Sequence, residues 1–285
     1  MKRRDRIKLN FSRNWTLPGK ERIANWLSLS ANARHRLQNG IIWLKDEPIA
    51  LYSSADSYIE NTILKNGSYE AEIGKLMSIF LKPGDVALDV GANIGLQSLR
   101  MCHLVGAEGK IYAFEPLTYL QQKLKNNLTL NCAANVTIMP FALSDANLEQ
   151  NYEVNPASWN QGTFSLREKR LDGDMQKITI RVGDEVSEIA NLSKLKLVKI
   201  DVEGFEFQVI AGLRLTLIKH QPVIIFEYDS NYWSQTGVAV ASCYQLLSEL
   251  NYKLYQIYDG NATLITSATA IEDGNILCVP SCLNN

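Results

Sequence analysis

The stretch DVALDVGANIGLQSL, residues 85–99, decides the fold. An apolar run, Val86-Ala87-Leu88, meets the acid Asp89, and three small or turn-forming residues follow at once: Gly91, Asn93 and Gly95. An apolar stretch of helical character comes next. Gly91 and Gly95 let the main chain turn sharply and let a ligand lie against bare backbone. The helix that follows offers free N–H groups in its first turn.

Outward from this unit, strands and helices alternate. KIYAFEP (110–116) reads as a second strand, 117–130 as a second helix and NVTIMPFAL (135–143) as a third strand. Residues 144–175 are polar and read as an irregular insertion. KITIRV (177–182) and LKLVKID (195–201) read as strands. Phe205, Val209, Ile210, Leu213 and Leu217 mark one helix that ends before Pro222. PVIIFEY (222–228) is an apolar strand, SCYQLLSEL (242–250) a helix, and YKLYQIY (252–258) and NILCV (275–279) closing strands. Upstream, a helix from Tyr69 to Phe80 is stopped by Lys82-Pro83-Gly84-Asp85. GIIWLKDEPIALYSS (40–54) reads as two short strands around Asp46-Glu47-Pro48, and 21–37 as a short helix with Ile23, Trp26, Leu27 and Leu37 inward. Repeated β-α units with continuous apolar strands predict an α/β fold whose mostly parallel sheet is covered on both faces. Ligands in such sheets bind at the carboxyl ends of the strands, where the strand order reverses.

The chain has 285 residues, 46% hydrophobic and 21% charged, which suits one large domain with an appendage. The expected division is a basic arm with a helix and hairpin over 1–68 and a catalytic domain over 69–285. Net charge is −1, but residues 1–36 hold ten Lys and Arg against Asp5 and Glu21, a local +8 that leaves −9 for the rest. Such an arm suits peripheral contact with anionic surfaces, or is simply a solvated terminus. No apolar run of about 20 residues is present, so no membrane span is expected. The start lacks the apolar core of a secretory signal. Five cysteines without a CxxC pair suggest reduced thiols in a cytoplasmic protein. No His or Cys stands at metal-ligand spacing, so no metal site is expected.

The cofactor follows from the acids around the turn. Glu115 ends the second predicted strand, 20 residues past Gly95, where an acid accepts hydrogen bonds from ribose hydroxyls. A dinucleotide wants GxGxxG, which Gly91-Ala92-Asn93-Ile94-Gly95 does not match. Asp89 would repel a pyrophosphate and welcome an amino group, which favours S-adenosylmethionine. A nucleotide-dependent oxidoreductase is the competing reading. A nucleic-acid methyltransferase that uses the basic arm is a third, although no specific nucleic-acid partner is expected.

With LKPGDVALDVGANIG, IYAFEP, LKNNLTLN, FALSD, LVKIDVEGFE and PVIIFEY in place, the sequence resembles the FkbM-type S-adenosylmethionine-dependent methyltransferases over about residues 40–260. The resemblance implies a seven-stranded Rossmann-like class I methyltransferase fold with a reversed last strand. It also implies O-methylation of a saccharide or another small hydroxylated metabolite. By position, Asp89, Gly91, Asn93 and Gly95 would hold the methionine end. Glu115, with Pro116 beside it, would hold the ribose, and Ala142 with the neighbourhood of Asp145 would border the adenine. Asp201 would serve both cofactor and catalysis. The family's Leu-Asp pair after the insertion is replaced by Gly183-Asp184, which removes a packing side chain.

KIDVEGFE places Asp201 at a strand end with Glu203 and Glu206 just beyond, and FEYD places Glu227 and Asp229 at the next. A neutral alcohol is a poor nucleophile, so a positioned base is needed to draw off its proton. Asp201 is the first candidate and Glu227 the second. Glu206 suits the N-terminus of the following helix, and Glu203 suits that helix start and the catalytic rim equally. His103 and His220 read as structural. NPASWNQGTFSL (155–166), with Trp159 and Phe164, suits a sugar face and equally a solvent loop. Tyr228, Tyr232 and Trp233 either line the cleft or pack beneath a loop.

Overall fold

The computed structural model describes residues 40–53, 57–154, 174–258 and 260–284. The expected helix at 21–37, the basic arm and the loop at 155–166 lie outside these residues. The chain opens on a hairpin of β1 (Gly40–Trp43) and β2 (Ala50–Ser53), then two helices, α1 (Tyr58–Asn66) and α2 (Ala71–Phe80). Next come β3 (Val86–Val90), α3 (Leu96–Val105), β4 (Lys110–Phe114), α4 (Thr118–Leu130) and β5 (Val136–Met139). Three strands follow: β6 (Ala142–Ser144), β7 (Leu148–Val154) and β8 (Asp174–Val182). After α5 (Ser187–Ala190) come β9 (Leu197–Ile200), α6 (Glu206–Gly212), α7 (Arg214–His220) and β10 (Val223–Tyr228). The described chain then runs through α8 (Ser230–Thr236), α9 (Val240–Glu249), β11 (Tyr252–Tyr258), β12 (Asn261–Leu264) and β13 (Gly274–Pro280).

The main sheet has the order β5-β4-β3-β9-β10-β13-β11-β12. From β5 to β10 neighbours run parallel, and β13 is antiparallel to both β10 and β11. This is the expected seven-stranded sheet with its reversed last strand, extended by β12, which pairs with β11 and is wholly exposed. The order reverses between β3 and β9, which places the ligand crevice at their carboxyl ends.

The strands are apolar throughout because both faces are covered, and their side chains alternate between the two. Leu88, Val90, Val198, Ile200, Ile224 and Phe226 enter the core beneath α6, α7 and α9. Ala87, Leu197, Val223 and Ile225 face the other way, against Ile73 and Met77 of α2 and Met101 and Val105 of α3. The same alternation carries Asp89, Lys199, Asp201 and Glu227 to the α2–α3 side. The hairpin shares a core with the sheet: Ile42, Ile49, Leu51 and Ile63 pack with Leu96, Leu99, Leu120 and Leu124. Asn127 on α4 and Asn131, the residue that caps its C-terminus one turn on, act as a partner for β2. Their Oδ1 atoms accept from Tyr52 N and Ala50 N, each at 2.9 Å, and Asn131 Nδ2 donates to Ala50 O at 2.6 Å.

Three expectations are corrected. The strand predicted over 135–143 is two strands in different sheets: Pro140, which lacks an N–H, separates β5 from β6, and β6 pairs with β8. The polar stretch 144–175 is not irregular throughout, because β7 pairs antiparallel with β8. The helix after Phe205 breaks at Leu213, and Asp184 starts the second half. Its carboxylate accepts from Leu215 N at 2.7 Å, Thr216 N at 2.9 Å and Thr216 Oγ1 at 2.7 Å. The neighbouring Gly183 also accounts for the missing leucine, since a Cβ there would lie 2.5 Å from Leu213 Cδ2. The packing volume is already filled by Leu213.

Candidate active site

At the switch point lies a cavity of about 270 Å³, walled by the loops after β3, β4, β9 and β10 and by Tyr58, Tyr69 and Glu70. The glycine turn is drawn to the end of β4, because Gly91 N and Ala92 N both donate to Phe114 O, at 3.0 and 2.9 Å. Gly91 has φ +86, and a Cβ there would sit 1.9 Å from Asp201 O. Only glycine permits this conformation and this approach to the end of β9. Asn93, also left-handed at φ 50, donates its N–H to Glu115 Oε2 at 2.9 Å, and Leu117 N donates to Glu115 Oε1 at 2.9 Å. Glu115 thus staples two loops together while lining the cavity beside Pro116. Burial, only partly offset by these bonds, pushes its pKa up to about 7.

Asn93, Gly91, Glu115, Pro116, Ala142, Asp201 and Glu227 all line the cavity, as does Leu143. Gly95 does not. It caps α3 and packs against Leu124. Asp89 lies behind the wall, fully buried, accepting from Ser98 Oγ at 2.5 Å. Its Oδ1 has no partner among the described residues. Asp145 is likewise not on the wall and accepts from Ser144 Oγ at 3.2 Å.

The acids of β9 and β10 gather around one cation. Lys199, 6% exposed, stands in register beside Asp89 and donates to Asp201 Oδ2 at 2.8 Å. Burial opposes its charge, but Asp201, Asp89 and Glu70 outweigh it and hold its pKa above the ordinary lysine value. The carboxylates of Glu227 and Glu203 have no hydrogen bond or ion pair to another described residue. Burial, then Asp201 and neighbouring acids, pushes Glu227 up to about 8 and Glu203 up to about 9. Glu203 is also held at φ 54, a conformation rare for a side chain of this kind. Glu206 is structural: it accepts from Val202 N at 3.0 Å, Gly204 N at 3.2 Å and Trp233 Nε1 at 2.7 Å. Trp233 is buried there with Tyr228 against its ring, so of the three aromatics only Tyr232 lines the cavity.

Sequence reasoning missed Lys199, Tyr58, Tyr69 and Glu70. Lys199 carried a signal, because a lysine inside a buried strand needs a paired anion. The other three belong to turns and helix starts with no motif of their own.

The raised carboxylates make a prediction about pH. Their folded pKa values, about 7 for Glu115 and Glu206, about 8 for Glu227 and about 9 for Glu203, lie above the ordinary 4.5. The folded chain therefore binds protons more tightly than the unfolded one. Their stabilising contribution is full below the ordinary value and is lost as pH rises through the folded values. The melting temperature of the ligand-free protein is expected to fall between about pH 6 and about pH 9. A midpoint that rises over that window would contradict this arrangement of acids.

The wall suits a cationic adenosyl ligand. The bare Gly91 turn and the acid-lined wall fit a cationic amino end, and the preset carboxylate of Glu115 fits ribose hydroxyls. A pyrophosphate would face six acids and, among the described residues, the single cation Lys199. This fold is that of the class I S-adenosylmethionine-dependent methyltransferases, and the site suits that cofactor. When bound, that cofactor supplies an electrophilic methyl group. Residues 89–254, more than half of the chain, match the family described as Methyltransferase FkbM domain. The chain belongs to the FkbM methyltransferase family.

Among relatives, it is 30% identical over 158 residues to the hexuronic acid methyltransferase AglP of Haloferax volcanii, covering 55% of this chain and 61% of that one. It is 28% identical over 159 residues to the 2-O-methyltransferase NoeI of Sinorhizobium fredii, covering 51% of this chain and 64% of the relative. It is 26% identical over 252 residues to the antimetabolite synthetase AmbE of Pseudomonas aeruginosa, covering 76% of this chain but 11% of that protein. The chain thus spans less than two thirds of each.

Glu115→Ala is expected to weaken S-adenosylmethionine binding by about tenfold or more, the size of one lost charge-assisted hydrogen bond. Calorimetry on the variant, with its fold checked by circular dichroism, tests this. Unchanged affinity would remove Glu115 from the ribose site.

Proposed function

We propose that the enzyme transfers the methyl group to a hydroxyl of a saccharide or another small hydroxylated metabolite, with Glu227 as the base. The observation that carries this reading is the Glu227 carboxylate. Its side chain stands on the cavity wall without a hydrogen-bond or ion-pair partner among the described residues, and its pKa is pushed up to about 8. A base is most effective when its pKa lies near the working pH. Asp201, the first candidate from sequence, is committed to the Lys199 ammonium at 2.8 Å. It is read as the group that fixes that cation and lines the methyl-transfer region, while Glu227 accepts the proton. The relative named as a hexuronic acid methyltransferase supports a sugar acceptor, and the one named as a 2-O-methyltransferase supports transfer to oxygen.

The +8 charge of residues 1–36 supports peripheral contact with anionic surfaces rather than a nucleic-acid substrate, because the cavity itself is lined by acids. Among the described residues, no helix is long and apolar enough to cross a membrane.

The test is incubation with S-adenosylmethionine carrying a labelled methyl group and a panel of methyl glycosides and hydroxylated metabolites. Label in an alkali-stable ether supports the reading. Label confined to alkali-labile esters, or to nucleic acid, overturns it.

A further inference from the structure

Arg100, on α3, does not line the cavity, yet it bonds to three residues that do, Tyr69, Glu70 and Gln97. It is 3% exposed. Its Nε and Nη2 donate to Glu47 Oε2 and Oε1, both at 2.6 Å. Its Nη1 donates to Tyr69 O at 2.9 Å, Glu70 O at 3.0 Å and Gln97 Oε1 at 3.3 Å. Glu47 belongs to the turn between β1 and β2, so one planar guanidinium ties the hairpin, the entry to α2 and the first turns of α3 together. Gly74 leaves room for it: a Cβ there would lie 2.9 Å from Arg100 Cδ.

The corner so held is part of the cavity wall. Tyr69 and Glu70 both line it, and Glu70 is kept at φ 47. A non-glycine residue stays in that region only when its surroundings impose it. Two bonds from Arg100 fall on the carbonyls flanking this turn, and Gln97 Nε2 fixes the Glu70 carboxylate at 2.9 Å. Glu70 is within electrostatic reach of Lys199 and Asp201. Glu47, Tyr69 and Glu70 all precede residue 89, where the family match begins.

We propose that Arg100 and Glu47 are positioning residues of the cofactor site, which hold the Tyr69–Glu70 corner so that the Glu70 carboxylate stands in the cavity. The hairpin is then a working part of the enzyme and not an appendage. Arginine is required because a bidentate carboxylate and two carbonyls must be served at once by one rigid fork.

The test is calorimetric titration of the full chain with S-adenosylmethionine, alongside thermal melting. Arg100→Lys keeps the charge but loses the fork, and affinity is expected to fall by about tenfold. A lower melting temperature with unchanged affinity would make the network a structural staple only and overturn the proposal. Should Arg100→Lys fail to fold, Glu47→Gln carries the test, since its carboxylate is 26% exposed. A cycle of Glu47→Gln, Glu70→Gln and the double variant then decides the route. Non-additive losses of affinity mean that the hairpin acts through Glu70, and additive losses or none refute it.

Discussion

Glu227→Gln is expected to lower turnover by about 10²- to 10⁴-fold while leaving S-adenosylmethionine affinity little changed. The substitution keeps the shape of a carboxylic acid but cannot take a proton. In the wild type, the single-turnover rate should climb with pH around about 8, because only the ionised Glu227 is a base. In the Gln variant that rise should vanish. Stability should move the other way. Burial and the neighbouring acids penalise the ionised Glu227 in the folded protein but not in the unfolded chain, so above about pH 8 the variant, which carries no charge there, should melt higher than the wild type. Near-normal turnover in Glu227→Gln would return the role to Asp201, whose Asn variant is then the one to measure.

Lys199→Met is expected to destabilise the protein by about 3–5 kcal/mol, the usual cost of removing one partner from a buried ion pair. The ammonium lies between Asp201, bonded at 2.8 Å, and Asp89, its neighbour across β3 and β9. Without it the acids of the α2–α3 side face each other uncompensated, and the remaining carboxylates must take up protons. Adding Asp201→Asn to Lys199→Met should therefore recover part of the loss, because it removes one repelling charge. Denaturant midpoints for both single variants and the double variant test this. A Lys199→Met protein as stable as the wild type would show that the cation does not hold the cluster.

Much of this protein is legible in its residues taken in order. The apolar runs at Val86, Leu197 and Val223 need two covered faces, so a parallel α/β sheet follows from hydrophobic patterning alone. Gly91 needs a left-handed turn, and Glu115 ends the next strand, so the cofactor loop is written locally. The departure at Gly183 is also local, although its reason, the Leu213 side chain filling the space, is not. What the tertiary structure alone decided is register and convergence. Period-two alternation places Asp89 and Lys199 on a face, but only the β3–β9 pairing sets them side by side. No spacing in the chain says that Asp201 is spent on Lys199 while the Glu227 carboxylate has no partner among the described residues. Nor does it say that Glu206 is consumed by Trp233 and two backbone N–H groups. Glu47 and Arg100 are 53 residues apart and meet only because the hairpin buries Ile42 and Leu51 in the core shared with α3 and α4. Local propensity acts within a few residues, whereas a charge takes its pKa and its role from whatever folding brings within a few ångströms. That is why the sequence by itself determined the sheet, the glycine turn and the cofactor class, and the tertiary structure decided which acids pair with other described residues and which do not.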